Sequence, residues 1–241
     1  MEPRVVSAAE WHKALAEMLI REKAFTRERD DLAAMRRRMP WTPVDKEYWF
    51  SGPDGPVTLR DLFAGRRQLI VYRAFMDPSV NGWPERGCVG CSLMADHVPD
   101  LSHLHARDTT LVYVSRGTQA DIAGVKDRMG WNMPWFTMIE AEDGVFDVDF
   151  DVDEWHGTNA FIRHPDTDEV FRTYFVDNRG DEAFVSTWNL LDITALGRQE
   201  TWEDSPPGYP QSPPYQWWRH HDLYEPCGQN GGGSAPVGGV E

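Results

Sequence analysis

Hydrophobic and polar positions follow a helical period over the first long segment of the chain. Residues 7–39 have a partial apolar stripe, formed by Trp11, Leu15, Met18, Leu19, Leu32 and Met35. Ser7 and Glu10 have the spacing of a capping box, and Pro40 ends the pattern. The remaining positions are densely charged, which is typical of a solvated helix face. We therefore predict a helical arm over residues 1–40, and the stripe favours a homodimer.

In residues 41–200, segments whose apolar residues have the spacing of strands alternate with segments that have the spacing of helices. This alternation predicts an α/β domain with a central mixed sheet. A Gly-Pro-Asp-Gly-Pro turn joins a hairpin over residues 48–57, and a short capped helix follows at Thr58–Asp61. Further strands are predicted at 69–75, 109–115, 160–163 and 170–176. Further helices are predicted at 92–105 and 119–129, the second closed by Gly130.

One stretch alternates strictly between aromatic or aliphatic residues and aspartates over residues 146–153. This period of two predicts a half-buried strand or extended segment with a solvated acidic face. The aspartates also raise a calcium hypothesis. However, an EF-hand loop from Asp147 would need glycine and glutamate where Val152 and Thr158 stand.

The C-terminal part changes composition twice. Residues 201–227 are rich in proline and aromatic residues, and we predict that they pack on the domain. Residues 228–241 are rich in glycine, which predicts a disordered tail. The His220-His221-Asp222 run favours packing over a ligand cluster. Cys227 could be a resolving thiol, but a cysteine beside such a tail is more often a bystander.

The charge and composition of the chain exclude several classes of function. The chain has 241 residues and a formal net charge of −15, which disfavours binding to nucleic acid or to a membrane surface. No apolar run approaches the roughly 20 residues that span a bilayer, and the N-terminus lacks a signal-peptide core. Three cysteines do not make a disulfide scaffold. The sequence thus predicts a cytoplasmic protein.

The strongest chemical motif is Cys88-Val-Gly-Cys91, between a predicted strand and a predicted helix. Helix N-termini stabilise thiolates, and the spacing places both sulfurs on one face of the first turn. Gly90 removes side-chain bulk between them, and Arg86 could add positive charge. A Cys-x-x-Cys motif beside a βαβ pattern is typical of thioredoxin-like redox sites.

Metal binding is the competing interpretation, because His97, His103 and His105 follow the cysteines. If residues 91–105 form one helix, His97 lies about 9 Å further along its axis, too far for one tetrahedral zinc. Redox chemistry is therefore favoured, and neither metal nor cofactor is expected. Trp83, Trp131 and Trp135 could line an apolar groove beside the motif or belong to the core.

The run from Pro84 to Cys91 resembles the peroxiredoxin pattern Pro-x-x-x-Thr/Ser-x-x-Cys, which implies that Cys91 attacks. It also resembles the thioredoxin motif, which implies that Cys88 attacks. More broadly, residues 5–224 resemble a thioredoxin-like bacterial family catalogued as a domain of unknown function (number eight-nine-nine). The matching segments are Ser7–Trp11, Met39–Trp41, Gly52–Gly55, Thr58–Phe63, Gln68–Tyr72, Gly87–Ser92, Ala106–Asp108, Met129–Trp131, Leu190–Thr194 and Trp218–Asp222.

The chain departs from both patterns at one place. Peroxiredoxins have an arginine before the strand that corresponds to Ala160–Ile162, where this chain has His156, Gly157 and Thr158. Thioredoxins have a cis-proline there, and Thr158 is the expected occupant of that position. The supporting residues expected around the cysteines are Trp83, Pro84, Arg86, Gly90, Ser92 and Thr158.

Three functions remain open. The first is a thiol-disulfide or peroxide oxidoreductase, in which a sulfenate or mixed disulfide leads to a Cys88–Cys91 disulfide. It would act on a small-molecule or protein substrate, with a thioredoxin-type electron donor. The second is a binding module whose dithiol holds a soft metal or acts as a redox switch. The third is a specialised enzyme that uses the dithiol on another small substrate.

Overall fold

The computed structural model describes residues 4–140, 144–152 and 155–224. One eight-stranded sheet forms its centre. The strands are β1 (Thr42–Pro43), β2 (Trp49–Gly52), β3 (Gly55–Thr58), β4 (Gln68–Arg73), β5 (Thr109–Ser115), β6 (Trp135–Ile139), β7 (Gly157–Arg163) and β8 (Val170–Val176). The α-helices are α1 (Ala8–Arg36), α2 (Val89–Asp96), α3 (Ser102–His105), α4 (Gln119–Met129), α5 (Phe146–Asp149) and α6 (Ser186–Leu191).

The strand order in the sheet is β1-β8-β7-β4-β5-β6-β2-β3. β4 runs parallel to β5, and helices α2 and α3 connect the two strands. On its other side β4 pairs antiparallel with β7, which pairs antiparallel with β8. A βαβ unit continued by an antiparallel hairpin in one sheet confirms the predicted thioredoxin-like α/β fold.

The central strand β4 buries side chains on both faces of the sheet. Leu69 and Val71 belong to a cluster with Phe50, Phe63, Val112 and Phe161. Tyr72 faces the other cluster, with Tyr113, Ile122, Trp135 and Cys91. A strand covered on both faces is apolar almost throughout, which explains why its position was clear from sequence. This burial also places the end of β4 beside the cysteine motif.

Several local predictions are confirmed. Ser7 caps α1 through a complete capping box with Glu10. The hairpin β2–β3, the strand β5 and the helix α4 lie where the patterns predict them, and Gly130 ends α4 in the left-handed conformation. Each element is defined by interactions within a few residues. Helix α1 has no buried residue, so the homodimer stays a prediction.

The predicted acidic strand at residues 146–153 is wrong. Its first part is the short helix α5, and Phe146 at the start of α5 packs in the core against Phe150, the residue after its end. The face is not uniformly solvated either, since Asp147 is fully buried. Its Oδ2 lies 3.3 Å from Arg73 Nη2 and 2.9 Å from Arg116 Nη2. Aromatic residues four apart satisfy a helical as well as a strand period.

The predicted helix over residues 92–105 is also divided. Helix α2 ends at Asp96, and α3 begins at Ser102. Pro99 lies in the gap, and proline disfavours helical geometry in itself and in the residue before it. Because residues 91–105 do not form one helix, the distance along a helix axis no longer excludes a zinc site shared by the cysteines and His97. The position of each histidine in the structure decides this question.

The segment that follows α6 lies on the domain as far as the structure describes it. Trp217 and Trp218 pack against a small cluster formed by Leu93, Val185 and Trp188. His220 is buried and lies 2.9 Å from Arg128 Nη2 through its Nδ1. The His220–Asp222 run thus takes part in packing. Cys227, Asp153 and the predicted tail at 228–241 lie outside the described residues.

Candidate active site

The two cysteines lie where the loop after β4 enters α2. Cys88 is the N-cap residue of α2, with extended backbone angles. Its Sγ accepts a hydrogen bond from the Cys91 backbone N–H at 3.3 Å. A sulfur at an N-cap therefore takes the place of the usual hydroxyl or carboxylate acceptor. This position exposes Cys88 to the positive end of the helix dipole.

The surroundings of Cys88 favour its thiolate. Its hydrogen bond with the Cys91 side chain, the backbone N–H groups of Cys91 and Gly90, and the charge of His156 together lower its pKa to about 7, against the opposing effect of burial. The side chain is half-buried. At neutral pH a substantial fraction of Cys88 is therefore in the nucleophilic form.

Cys91 is in the opposite environment. It is 1% exposed, and its Sγ accepts hydrogen bonds from the Phe75 backbone N–H at 3.1 Å and from the Tyr72 hydroxyl at 3.5 Å. Burial nevertheless raises the pKa of the Cys91 thiol well above its usual value, and the neighbouring Cys88 raises it further. One motif thus holds an acidic thiol beside a thiol that stays protonated.

A histidine and a carboxylate lie close to this dithiol, on elements that are distant in sequence. His156 precedes β7, and its Nδ1 lies 3.5 Å from Asp181 Oδ2. Asp181 also accepts a hydrogen bond from Thr158 Oγ1 at 3.0 Å. Thr158 is paired with Tyr72 across β4 and β7. The predicted supporting residue Thr158 therefore contacts Asp181.

Of the other predicted supporting residues, Trp83 is half-buried against the core cluster of Tyr72 and Cys91. Pro84 is half-buried beside it, whereas Arg86 is exposed and is not among the groups that lower the pKa of Cys88. The basic side chain that favours the Cys88 thiolate is His156 instead. Ser92 is fully buried, and its Oγ has no hydrogen-bond partner in the described part of the chain.

Of the two alternatives for the tryptophans, groove or core, Trp131 and Trp135 take the second. Both are buried in the core, where their indole N–H groups donate to Asp96 Oδ1 at 2.7 Å and to Ser115 Oγ at 3.0 Å. A different tryptophan adjoins the motif. Gly90 lies so close to the Trp218 ring that a Cβ on Gly90 would be 3.1 Å from Cζ3.

His103 and His105 lie on α3, and His97, the first histidine after the motif, is engaged elsewhere. His97 Nδ1 lies 2.7 Å from the Leu93 carbonyl oxygen, and its Nε2 lies 2.8 Å from Thr187 Oγ1. Within residues 4–140, 144–152 and 155–224, no three histidine, cysteine, aspartate or glutamate side chains are grouped to hold a metal ion. The same ranges contain no helix long and apolar enough to span a membrane.

Residues 1–224 match the model of a family described as bacterial proteins of unknown function, DUF899. The chain belongs to this family. No curated protein matches this DUF899 chain significantly. The matched region contains Cys88 and Cys91, together with His156, Asp181 and Trp218.

Solved structures similar to the DUF899 chain include peroxidoxin BcpB from Mycobacterium tuberculosis, which is 17% identical. That match covers 64% of this chain and 97% of that one, with a TM-score of 0.38. A PrxQ variant from Xylella fastidiosa is 15% identical, and the match covers 61% of this chain and 93% of that one with a TM-score of 0.36. A putative thiol:disulfide interchange protein, DsbE, from Chlorobium tepidum is 12% identical, and the match covers 60% of this chain and 92% of that one with a TM-score of 0.35. At these scores the likeness assigns no activity.

Sequence reasoning did not single out Tyr72, Asp181 or Trp218 for the site. These three residues could not be predicted because they belong to no common motif and each comes from a different part of the fold. The one available signal was the position of His156, where the peroxiredoxin pattern has an arginine.

Proposed function

We propose that this DUF899 chain is a thiol oxidoreductase in which Cys88 attacks and Cys91 resolves. The observation that supports this assignment is the contrast between the two sulfurs. Cys88 is half-buried at a helix N-terminus with its pKa lowered to about 7, whereas Cys91 is buried with its pKa raised. A low-pKa thiol that a substrate can reach suits attack, and a protonated buried thiol beside it suits resolution.

With a disulfide substrate, the Cys88 thiolate attacks one sulfur and forms a mixed disulfide, and the other substrate sulfur leaves as a thiolate. Cys91 then loses its proton and attacks Cys88 Sγ. This step forms the Cys88–Cys91 disulfide and releases the second substrate thiolate. Two electrons pass from the dithiol to the substrate, and the two thiol protons end on the released thiols or in solvent.

With a peroxide substrate, we propose the same roles. The Cys88 thiolate attacks one peroxide oxygen, becomes a sulfenic acid and releases an alkoxide or hydroxide, which takes a proton. Condensation with the Cys91 thiol forms the disulfide and releases water. The peroxiredoxin pattern would instead assign the attack to Cys91, but its burial and raised pKa oppose that order. In both cases a thioredoxin-type dithiol would reduce the enzyme again.

The test is to trap the mixed disulfide. We expect Cys91→Ser to accumulate one glutathione on Cys88 when incubated with glutathione disulfide at pH 7.5, detected by peptide mass spectrometry. Cys88→Ser should accumulate none on Cys91, and the control Cys227→Ser should behave like the wild type and form the internal disulfide.

A mixed disulfide on Cys91 in the Cys88→Ser variant would reverse the roles. If neither cysteine reacts with glutathione disulfide or with hydrogen peroxide, the oxidoreductase proposal is wrong. Thiols that become reactive only after a chelator is added would support the metal-holding binding module instead.

A further inference from the structure

Asp181 is a buried carboxylate that needs compensation. It is 2% exposed, and its Oδ1 accepts the Thr158 hydroxyl at 3.0 Å. Its Oδ2 has no hydrogen-bond partner in the described ranges, and the group that faces it is His156 Nδ1 at 3.5 Å. An isolated buried charge is costly unless an opposite charge or a hydrogen bond compensates it. The His156 ring is therefore placed where it can compensate the Asp181 carboxylate.

His156 also adjoins the dithiol. Its ring centroid lies 6.3 Å from that of Tyr72, whose hydroxyl lies 3.5 Å from Cys91 Sγ. The ring also contacts Trp155 at a centroid distance of 5.2 Å, and the Trp155 ring lies 6.4 Å from the Phe75 ring. A cation at this place acts on the sulfurs through a largely buried, weakly screened environment. The side chain is 22% exposed, so part of the ring remains open to solvent.

We propose that His156, oriented by Asp181, supplies the positive charge that stabilises the Cys88 thiolate, and that Asp181 is the positioning residue of this arrangement. This inference rests on the proposed function. In this arrangement the hydrogen bond from Thr158 to Asp181 Oδ1 leaves Asp181 Oδ2 directed to His156. The electrostatic influence of His156 on Cys88 supports it independently of the contact with Asp181.

The titratable groups around His156 come from four elements. Asp181 lies on the 3-10 helix Asn178–Phe184, Tyr72 on β4 and Cys88 at the start of α2. Tyr113 on β5 completes the set, because it interacts with both Asp181 and Cys91. Burial raises the pKa of both tyrosines well above the usual value. They therefore stay neutral between pH 5 and pH 9, and Asp181 and Cys88 are the acidic groups that interact with His156.

The experiment measures the alkylation rate of Cys88 by iodoacetamide between pH 5 and pH 9, with peptide mass spectrometry to assign the label. We expect His156→Gln to slow alkylation at pH 6 by about threefold to tenfold, because a higher thiol pKa leaves less thiolate. His156→Lys keeps a positive charge throughout this range and should stay close to the wild type. Asp181→Asn should fall between the wild type and His156→Gln.

His12→Gln on α1 is the matched control and should leave the profile unchanged. Circular dichroism checks that each variant is folded, and His156→Lys provides a second test should Asp181→Asn not fold. Superimposable profiles of His156→Gln and the wild type would overturn the inference while leaving the proposed function intact. A wild-type Cys88 that resists alkylation at every pH would instead count against the proposed function itself.

Discussion

Trp218 lies on Gly90, the residue between Cys88 and Cys91, and it comes from the segment that follows the last α-helix. A Cβ on Gly90 would stand 3.1 Å from the ring, so the glycine allows this close approach. The Trp218 ring also contacts Trp188 and Tyr215, at centroid distances of 5.4 and 4.7 Å. A segment far from the motif in sequence therefore covers part of the helix turn that begins at Cys88.

We expect Trp218→Ala to increase the alkylation rate of Cys88 several-fold at pH 7, because the change removes the ring that covers Gly90. The rate is measured with iodoacetamide under conditions in which the variant stays folded. Trp41→Ala is the control, since Trp41 is 48% exposed and lies next to the edge strand β1. An unchanged rate in Trp218→Ala would mean that the indole does not limit access.

Glu200 should hold this covering segment in place. Its buried carboxylate accepts from the Trp217 indole N–H at 2.8 Å, the Tyr215 backbone N–H at 2.9 Å and the Trp202 indole N–H. Glu200→Ala leaves these donors without their acceptor. Each donor that stays buried then lowers the free energy of unfolding by about 1–3 kcal/mol. Limited proteolysis should then cleave within residues 201–224 faster than in the wild type. The exposed variant Glu47→Ala should match the wild type, and equal cleavage of the Glu200 variant would contradict this role.

The acidic run offers a matched pair of stability variants. Asp147 is fully buried and paired with the buried Arg73, whereas Asp151 pairs with Arg172 at the surface and its side chain is 68% exposed. Asp147→Asn should lower the free energy of unfolding by about 3 kcal/mol, because it leaves buried positive charge less compensated. Asp151→Asn should lower it by less than about 1 kcal/mol. Urea denaturation measures both, and equal losses would contradict the difference in burial.

Cys88 should titrate near neutral pH. Its pKa in the folded chain is about 7, below the usual value for a thiol. The alkylation rate should therefore rise with pH to half its plateau near pH 7, whereas in the urea-unfolded chain the midpoint should lie near the usual thiol value. Cys91 should remain unlabelled in the folded chain over the same range. A folded-state midpoint equal to that of the unfolded chain would show that the helix N-terminus does not stabilise the thiolate.

Elements defined by neighbouring residues were predictable. Strand β5 and helix α4 match their predicted bounds because a β-branched run and a helix end at Gly130 are local signals. The Cys-x-x-Cys motif was equally visible, since its spacing and its place between a strand and a helix are properties of the chain itself. Residues 146–153 were mistaken because a period of two and an aromatic pair four apart coincide there, and burial of Asp147 against Arg73 decided between them.

The sequence by itself determined the fold class, the family and the presence of a dithiol at a helix N-terminus, because each depends on short-range patterns and on residue types. Only the tertiary structure distinguished the two sulfurs. That difference comes from desolvation of Cys91 beneath Tyr72 and Phe75, and from the hydrogen bonds that Cys88 receives at the start of α2. Such effects depend on distances through space between β4, β7 and α2, and no local pattern in the chain encodes them.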